Sequence, residues 1–118
     1  MQTSAESIGL ALPKSVSEIE SLVKESCRLS QLSEAVVRIF ISRGPGDFGV
    51  SPLSTVGSQL YIVVTEFKPP SDKNYLEGVG ILKSLIPPKP VFFSRIKSCN
   101  YLPNVLMKRE ALEGHCDY

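Results

Sequence analysis

Apolar and polar residues follow two periods along this chain, one helical and one alternating. In residues 1–12, Ala5, Ile8, Leu10 and Leu12 recur at roughly helical spacing. This predicts a helix ended by Pro13, which lacks an amide donor and disfavours helix in its predecessor. No capping residue opens that pattern, so the native chain is expected to begin earlier. Ser15-Val16-Ser17-Glu18 is a capping box in which the serine hydroxyl accepts from the Glu18 amide while the glutamate reaches back. The helix predicted over about residues 16–28 carries Ile19, Leu22, Val23 and Cys27 on one face and Glu18, Glu20, Lys24, Glu25 and Arg28 on the other. Cys27 reads as a small apolar residue of that stripe.

After a turn at Gln31–Glu34 the period changes. Ala35–Ile41 is a β-branched run with Val37, Ile39 and Ile41 on one face and Val36, Arg38 and Phe40 on the other. Arg43-Gly44-Pro45-Gly46-Asp47-Phe48-Gly49 breaks it, residues 50–58 read as loop, and Gln59–Lys68 is a second predicted strand closed by Pro69-Pro70. A polar connection over 71–76 leads to a third predicted strand, Glu77–Ile86, whose Gly78 and Gly80 mark a bulge or a close backbone approach. Pro87-Pro88-Lys89-Pro90 forbids helix and favours an extended connector, which is read as a domain boundary. Beyond it, Val91–Ile96 reads as a short strand and Tyr101–Glu113 as a helix. Asn100 is its cap, Pro103 lies in its first turn, Leu102, Val105, Leu106 and Leu112 are its apolar positions, and Gly114 follows it. Asp117 and Tyr118 follow with no closing element. The pattern is that of an α+β fold.

Composition narrows the function classes. The 118 residues are 42% hydrophobic and 21% charged, as in globular domains. A net charge of +1 gives no reason to expect nucleic acid or an anionic membrane as partner. The apolar runs are too short to span a bilayer, and the N-terminus lacks the pattern of a secretory signal. The cytoplasm is the expected location, with an organellar targeting peptide upstream of Met1 left open. Three widely separated cysteines and a single histidine, His115, argue against a disulfide framework and a metal site. The glycines at 44, 46 and 49 lack the spacing and the Gly-Lys-Ser/Thr of a phosphate-binding P-loop.

One lysine stands in a suggestive context. Lys97 lies at the predicted strand-to-helix junction, after Val91, Phe92, Phe93 and Ile96 and before a helix. A lysine at such a junction is commonly a solvated surface charge. Desolvated by its apolar neighbours, it would instead favour the neutral amine that attacks a carbonyl.

The run Ile96-Lys97-Ser98-Cys99-Asn100-Tyr101-Leu102, continued by Asn104–Ala111, resembles the lysine segment of the fold-type IV, class IV pyridoxal-phosphate enzymes. Branched-chain aminotransferases, D-amino-acid transaminases and 4-amino-4-deoxychorismate lyases belong to that family. Arg38–Gly46 resembles the strand and Arg-Gly loop of the family's small domain. The two segments stand in the family's order and separation.

The resemblance implies helices and a mixed sheet of the small domain over 1–86, a connector at 87–90, and the first strand and helix of the cofactor domain over 91–118. It implies pyridoxal 5′-phosphate as cofactor, held by Lys97 as a Schiff base, with Lys97 then serving as the catalytic acid/base. The substrate implied is an amino acid or an amino-chorismate-type molecule, and the complete enzyme is expected to be a homodimer. Arg43 either meets a substrate carboxylate or holds its own loop by donating to carbonyls. Phe48 falls near the place where D-amino-acid transaminases carry a second arginine, which speaks against D-amino-acid specificity. The family's phosphate-binding arginine is expected before Met1, and the glutamate that pairs with the pyridine nitrogen after Tyr118. The chain thus reads as an interior slice of an aminotransferase or of the related lyase. A non-catalytic domain that binds a partner is the reading from a different class.

Overall fold

The computed structural model describes all residues, Met1–Tyr118. They form two units, Met1–Lys68 and Pro69–Tyr118. The class is α+β, with helices and one two-stranded antiparallel sheet. No helix is long and apolar enough to cross a membrane.

In the first unit the elements are α1 (Gln2–Ser7), α2 (Val16–Ser30), β1 (Ala35–Ser42) and β2 (Gln59–Glu66), with a 3₁₀ turn at Pro52–Ser54 in the β1–β2 loop. α1 is shorter than the apolar spacing predicts, because Gly9 rather than Pro13 stops it. Gly9 takes φ +60°. From there the Gly9 amide donates to the Glu6 carbonyl at 3.1 Å and the Leu10 amide to the Ala5 carbonyl at 2.9 Å. That pair of bonds is a Schellman closure.

α2 starts as its sequence dictates. The Ser15 hydroxyl accepts from the Glu18 amide at 3.3 Å, and Glu18 Oε2 accepts from the Ser15 amide at 2.8 Å. Gln31, in the left-handed region at φ 57°, closes the helix. Cys27 on its apolar stripe is half-buried. α2 lies against both strands.

The register pairs Val37 with Val64, Ile39 with Ile62 and Ile41 with Leu60. All but Ile39 of these are half-buried, as period-2 alternation requires. The other face, with Phe40 opposite Tyr61 and Arg38 opposite Val63, is exposed.

The loop between the strands is pinched at its base. Gly44 has φ +83°, and a Cβ placed there would stand 1.9 Å from the Gly57 carbonyl oxygen. Above the pinch the Val56 amide donates to the Pro45 carbonyl at 3.0 Å. Asp47 Oδ1 accepts from the Gly49 amide and the Ser54 hydroxyl, both at 2.9 Å. The loop's donors thus serve its own carboxylate. Phe48 and Val50 at the tip are fully exposed.

The second unit holds α3 (Asp72–Glu77), α4 (Val91–Ser94) and α5 (Leu102–Glu113), and here the expectations need correction. The polar connection over 71–76 is mostly helix, begun by Ser71, whose hydroxyl accepts from the Asn74 amide. Glu77–Ile86 forms no strand. Gly78 leaves α3 at φ +81°, and the segment that follows lies along the C-terminus instead. There the Gly80 carbonyl accepts from the Asp117 and Tyr118 amides at 2.9 and 3.0 Å, and the Gly80 amide donates to Asp117 Oδ2 at 2.9 Å. Gly80 does mark a close approach, its would-be Cβ standing 3.5 Å from Cys116 Cα. Asp117 and Tyr118 are therefore tied down.

Val91–Ser94 is a helical turn, not a strand: the Ser94 amide closes onto the Pro90 carbonyl at 3.0 Å. An isolated apolar run without a neighbouring strand satisfies its amides locally, because a ladder needs a partner. The Pro87–Pro90 run lies inside this second unit.

α5 is held to the 84–86 segment by Glu110, whose carboxylate accepts from the Ser84 hydroxyl and from the Leu85 amide at 3.0 Å. Ala111 is its buried residue, whereas Leu102, Val105 and Leu112 of the expected apolar face are exposed.

Burial is sparse. Only Ala5 and Ile19 in the first unit and Ile96 and Ala111 in the second are buried. The accessible surface is 9548 Å². A compact monomer of this mass exposes roughly 6300 Å², and two compact bodies of half the mass roughly 7600 Å². The two units therefore leave more surface open than such bodies would, and many large apolar side chains stand on it.

Two outcomes follow from these contacts. Gly44→Ala meets both the Gly57 carbonyl and an unfavourable φ, and is expected to lower stability by about 1–3 kcal/mol in chemical denaturation; an unchanged midpoint would mean that the loop opens at no cost. The second concerns acid. Hydrogen bonds from Ser84 and the Leu85 amide hold the Glu110 carboxyl below its ordinary value, and those from Ser15 do the same for Glu18. A carboxyl lowered in the folded state stabilises fully above its unfolded pKa, and that contribution is lost as pH falls through the folded value. Hydrogen exchange at the Leu85 amide should therefore accelerate, beyond its intrinsic pH dependence, as pH falls below the ordinary carboxylate range. Glu110→Gln should flatten that profile.

Candidate functional site

In the second unit the chain from Pro88 to Met107 folds around a cleft of about 390 Å³. α4 ends at Arg95, and Ile96 turns inward to become one of the unit's two buried residues. Its neighbour Lys97 is thereby turned outward and is exposed. The apolar residues before it do not desolvate it, since Val91, Phe92 and Phe93 are themselves exposed.

Tyr101 is the residue that Lys97 meets. Its amide donates to the Cys99 carbonyl at 2.9 Å in a tight turn, which places the ring at the start of α5. The Lys97 Nζ stands 4.5 Å from the ring centroid, a cation–π contact. Lys89 reaches the same ring, its Nζ 5.4 Å from the centroid, and donates to the Asn100 carbonyl. The helix cap expected at Asn100 is not formed. Tyr101 holds the N-cap position without a side-chain bond, and Asn100 contributes its carbonyl to Lys89.

Arg95, Phe93 and Met107 complete the part of the lining that matters chemically. Lys89, Arg95 and Tyr101 were not singled out from sequence. Lys89 was legible only as an interruption of the prolines, and its meeting with Tyr101 depends on the turn between them.

Arg43 belongs to the first unit. Its guanidinium donates to the Gly9 carbonyl at 3.2 Å and to the Ile8 carbonyl. It thus holds the C-terminal end of α1 through carbonyls, though not those of its own loop. His115, at φ 56°, and the exposed Cys99 lie on the surface, while the Cys116 thiol donates to the Gly114 carbonyl.

The model of the family described as amino-transferase class IV matches residues 1–117. The chain belongs to the class IV aminotransferases. Among named proteins of similar sequence, the chloroplastic D-amino-acid transaminase of Arabidopsis thaliana is 36% identical over 108 residues. That match covers 92% of this chain and 28% of the relative. A Methanocaldococcus jannaschii protein, provisionally named a branched-chain-amino-acid aminotransferase, is 27% identical over 108 residues, covering 92% of this chain and 37% of its own length. This class IV chain therefore spans between about a quarter and two fifths of these relatives.

The residues around Lys97 fit the family's aldehyde cofactor. The cleft's volume lies in the range that takes small organic ligands, about 300–1,000 Å³. A primary amine is accessible within it, and no aspartate or glutamate lines it.

Arg43→Met tests the anchoring geometry. Removal of its bonds to Ile8 and Gly9 should destabilise α1 by about 1–2 kcal/mol. The readout is faster hydrogen exchange at the Gly9 and Leu10 amides, with the β1–β2 amides unaffected.

Proposed function

We propose that this chain carries the cofactor lysine of a class IV aminotransferase, and that Lys97 is that lysine. The observation that carries the reading is the placement of an accessible Lys97 amine over the Tyr101 ring, within a cleft free of carboxylates. Pyridoxal phosphate, when bound, supplies an aldehyde that joins to an amine and a ring that draws electrons from the substrate's Cα.

The chain's own residues do the rest. Lys97 would hold the cofactor through its Nζ and would serve as the acid/base that moves the proton at the substrate's Cα. Tyr101 fixes where the Lys97 Nζ stands. Ile96, buried beside it, keeps the backbone from turning the lysine inward.

The substrate is an amino acid. The Arabidopsis relative is named for D-amino acids and the Methanocaldococcus relative for branched-chain ones, while Phe48, exposed at the loop tip, offers no charge for a carboxylate. A lyase acting on 4-amino-4-deoxychorismate would use Lys97 in the same way. In the complete enzyme 1–86 would be the small-domain portion, 87–90 its connector and 91–118 the start of the cofactor domain, with a homodimer as the assembly. The Arabidopsis relative is named as chloroplastic, so an organelle stands beside the cytoplasm as the compartment.

A second reading, a non-catalytic module that binds a protein partner, is favoured by the exposed apolar surface: Phe40 and Tyr61 on the open sheet face, and Phe48, Val50 and Leu53 at the loop tip.

The test is Lys97→Ala in the full-length protein. Addition of pyridoxal phosphate to the unsubstituted protein should give an absorbance band distinct from that of the free cofactor. The variant should lose this band, and transamination should fall by about 10²–10⁴-fold. A band retained in the variant refutes Lys97 as the attachment point. A protein that never binds the cofactor but retains a partner in pull-downs favours the second reading.

A further inference from the structure

Elsewhere on this chain, surface cations find carboxylates on their own helix. Lys24 pairs with Glu20, Arg28 with Glu25, Lys73 with Glu77 and Arg109 with Glu113. Lys89 does otherwise. It reaches eleven residues along the chain to donate to the Asn100 carbonyl, and its Nζ stands 5.4 Å from the centroid of the Tyr101 ring. Pro88 and Pro90 on either side of it are exposed, yet Lys89 itself is half-buried.

Each end of this contact is prepared for it. Pro90 confines the Lys89 backbone to extended conformations, and the ring of Pro88 fixes the residue before it, so the lysine stem springs from a stiff stretch of chain. At the other end, the first bond of α5 runs from the Val105 amide to the Tyr101 carbonyl at 3.0 Å, which leaves the Asn100 carbonyl outside the helical ladder. Tyr101 holds the N-cap position without a side-chain bond. Lys89 thus supplies from outside a tether that the helix start does not make for itself. A charged donor on a carbonyl is stronger than a neutral one, and the ring face adds to its hold on the ammonium group.

The tether spans the lysine segment. Backbone bonds between its ends are short-range, from Ser94 to Pro90, Ile96 to Phe93 and Tyr101 to Cys99. Lys89 joins the ends of this span, and Lys97 stands on it with its Nζ 4.5 Å from the centroid of the same ring.

We propose that Lys89 is a positioning residue for Lys97: by tying the proline run to the uncapped start of α5, it sets the Tyr101 ring over which the Lys97 amine stands. Its consequence for catalysis rests on the reading of Lys97 as the cofactor lysine, whereas the placement itself can be read with no cofactor present.

The experiment uses the full-length protein carrying lysine labelled with carbon-13 at the ε position. Protons held over an aromatic face resonate upfield, so the Lys97 ε-methylene signal should stand upfield of those of solvated lysines; Lys97→Arg identifies it. Lys89→Met keeps the stem but removes the donor and the charge, and should return that signal most of the way to the solvated position. Lys89→Gln, whose neutral amide lacks the charge that the ring attracts, is the second variant, and the same return is expected. Lys89→Arg still donates and still suits the ring, and should keep the displacement. Tyr101→Phe should also keep it, while Tyr101→Leu should abolish it with Lys89 in place. The other lysine signals report whether each variant is folded. When pyridoxal phosphate is then added, its new absorbance band should form about ten- to a hundred-fold more slowly in Lys89→Met, the scale of loss for a reacting atom misplaced by about an ångström, and near the unsubstituted rate in Lys89→Arg.

A Lys97 signal that stays displaced in both Lys89→Met and Lys89→Gln overturns the proposal, as does an arginine variant that behaves like the methionine one. A slower band with the Lys97 signal unmoved overturns it too, because Lys89 would then act by another route than the ring. A band that forms unchanged in Lys97→Arg refutes the function proposed for Lys97, and the resonances still decide whether Lys89 places it.

Discussion

Burial in this chain is divided between four small or medium side chains, two in each unit, and every other contact has to work around that shortage. Ile19, the most buried, sits on the α2 face that meets the sheet; Ala5 anchors α1. Ile96 and Ala111 do the same for the turn before Lys97 and for α5. With so little apolar area removed from water, directional polar contacts carry an unusual share of the order. Each such bond contributes on the order of 1 kcal/mol net. Several of them recur at the joints: the Ser15–Glu18 box, Arg43 on the end of α1, Glu110 on the 84–86 segment, and the Gly80 amide and carbonyl on the C-terminus.

The cleft at Lys97 inherits this arrangement. Lys97 faces outward because Ile96 faces inward, a consequence of adjacent side chains in a turn. Tyr101 is placed by the start of α5, and α5 in turn by Ala111 and Glu110. A change at Ser84 or Glu110, remote in sequence from the lysine, therefore bears on the ring over which the lysine stands. Family membership makes the same point from another direction. The part this chain matches is between about a quarter and two fifths of the relatives' length, and the second face of the sheet and Leu102 and Leu112 of α5 stand exposed.

What could be read from sequence was local. The Ser15–Glu18 box, the alternation of β1 and β2, the helix after Asn100 and the lysine segment itself all depend on residues within a few positions of one another. Two local signals were present but outweighed. Gly9 lay inside an apolar spacing that favoured a longer helix, and Ser71 followed two prolines that favoured a loop. The strands expected at 77–86 and 91–96 fail for a different reason. A β-branched or apolar run states a preference, but a strand also needs a neighbour, and neither segment has one. Lys89 could be read only as an interruption of the prolines, because its contact is with a ring twelve residues later.

The pinch between Gly44 and Gly57 has a further consequence. It closes residues 45–56 into a ring of chain whose ends meet between the end of β1 and the start of β2, which separates the loop's length and composition from the β1–β2 register. Substitutions or insertions at its tip change what the protein presents to its surroundings without shifting a single cross-strand pair. The constraint therefore sits at the neck, where Gly44 approaches the Gly57 carbonyl too closely for a side chain, and not at the exposed tip residues Phe48, Val50 and Leu53.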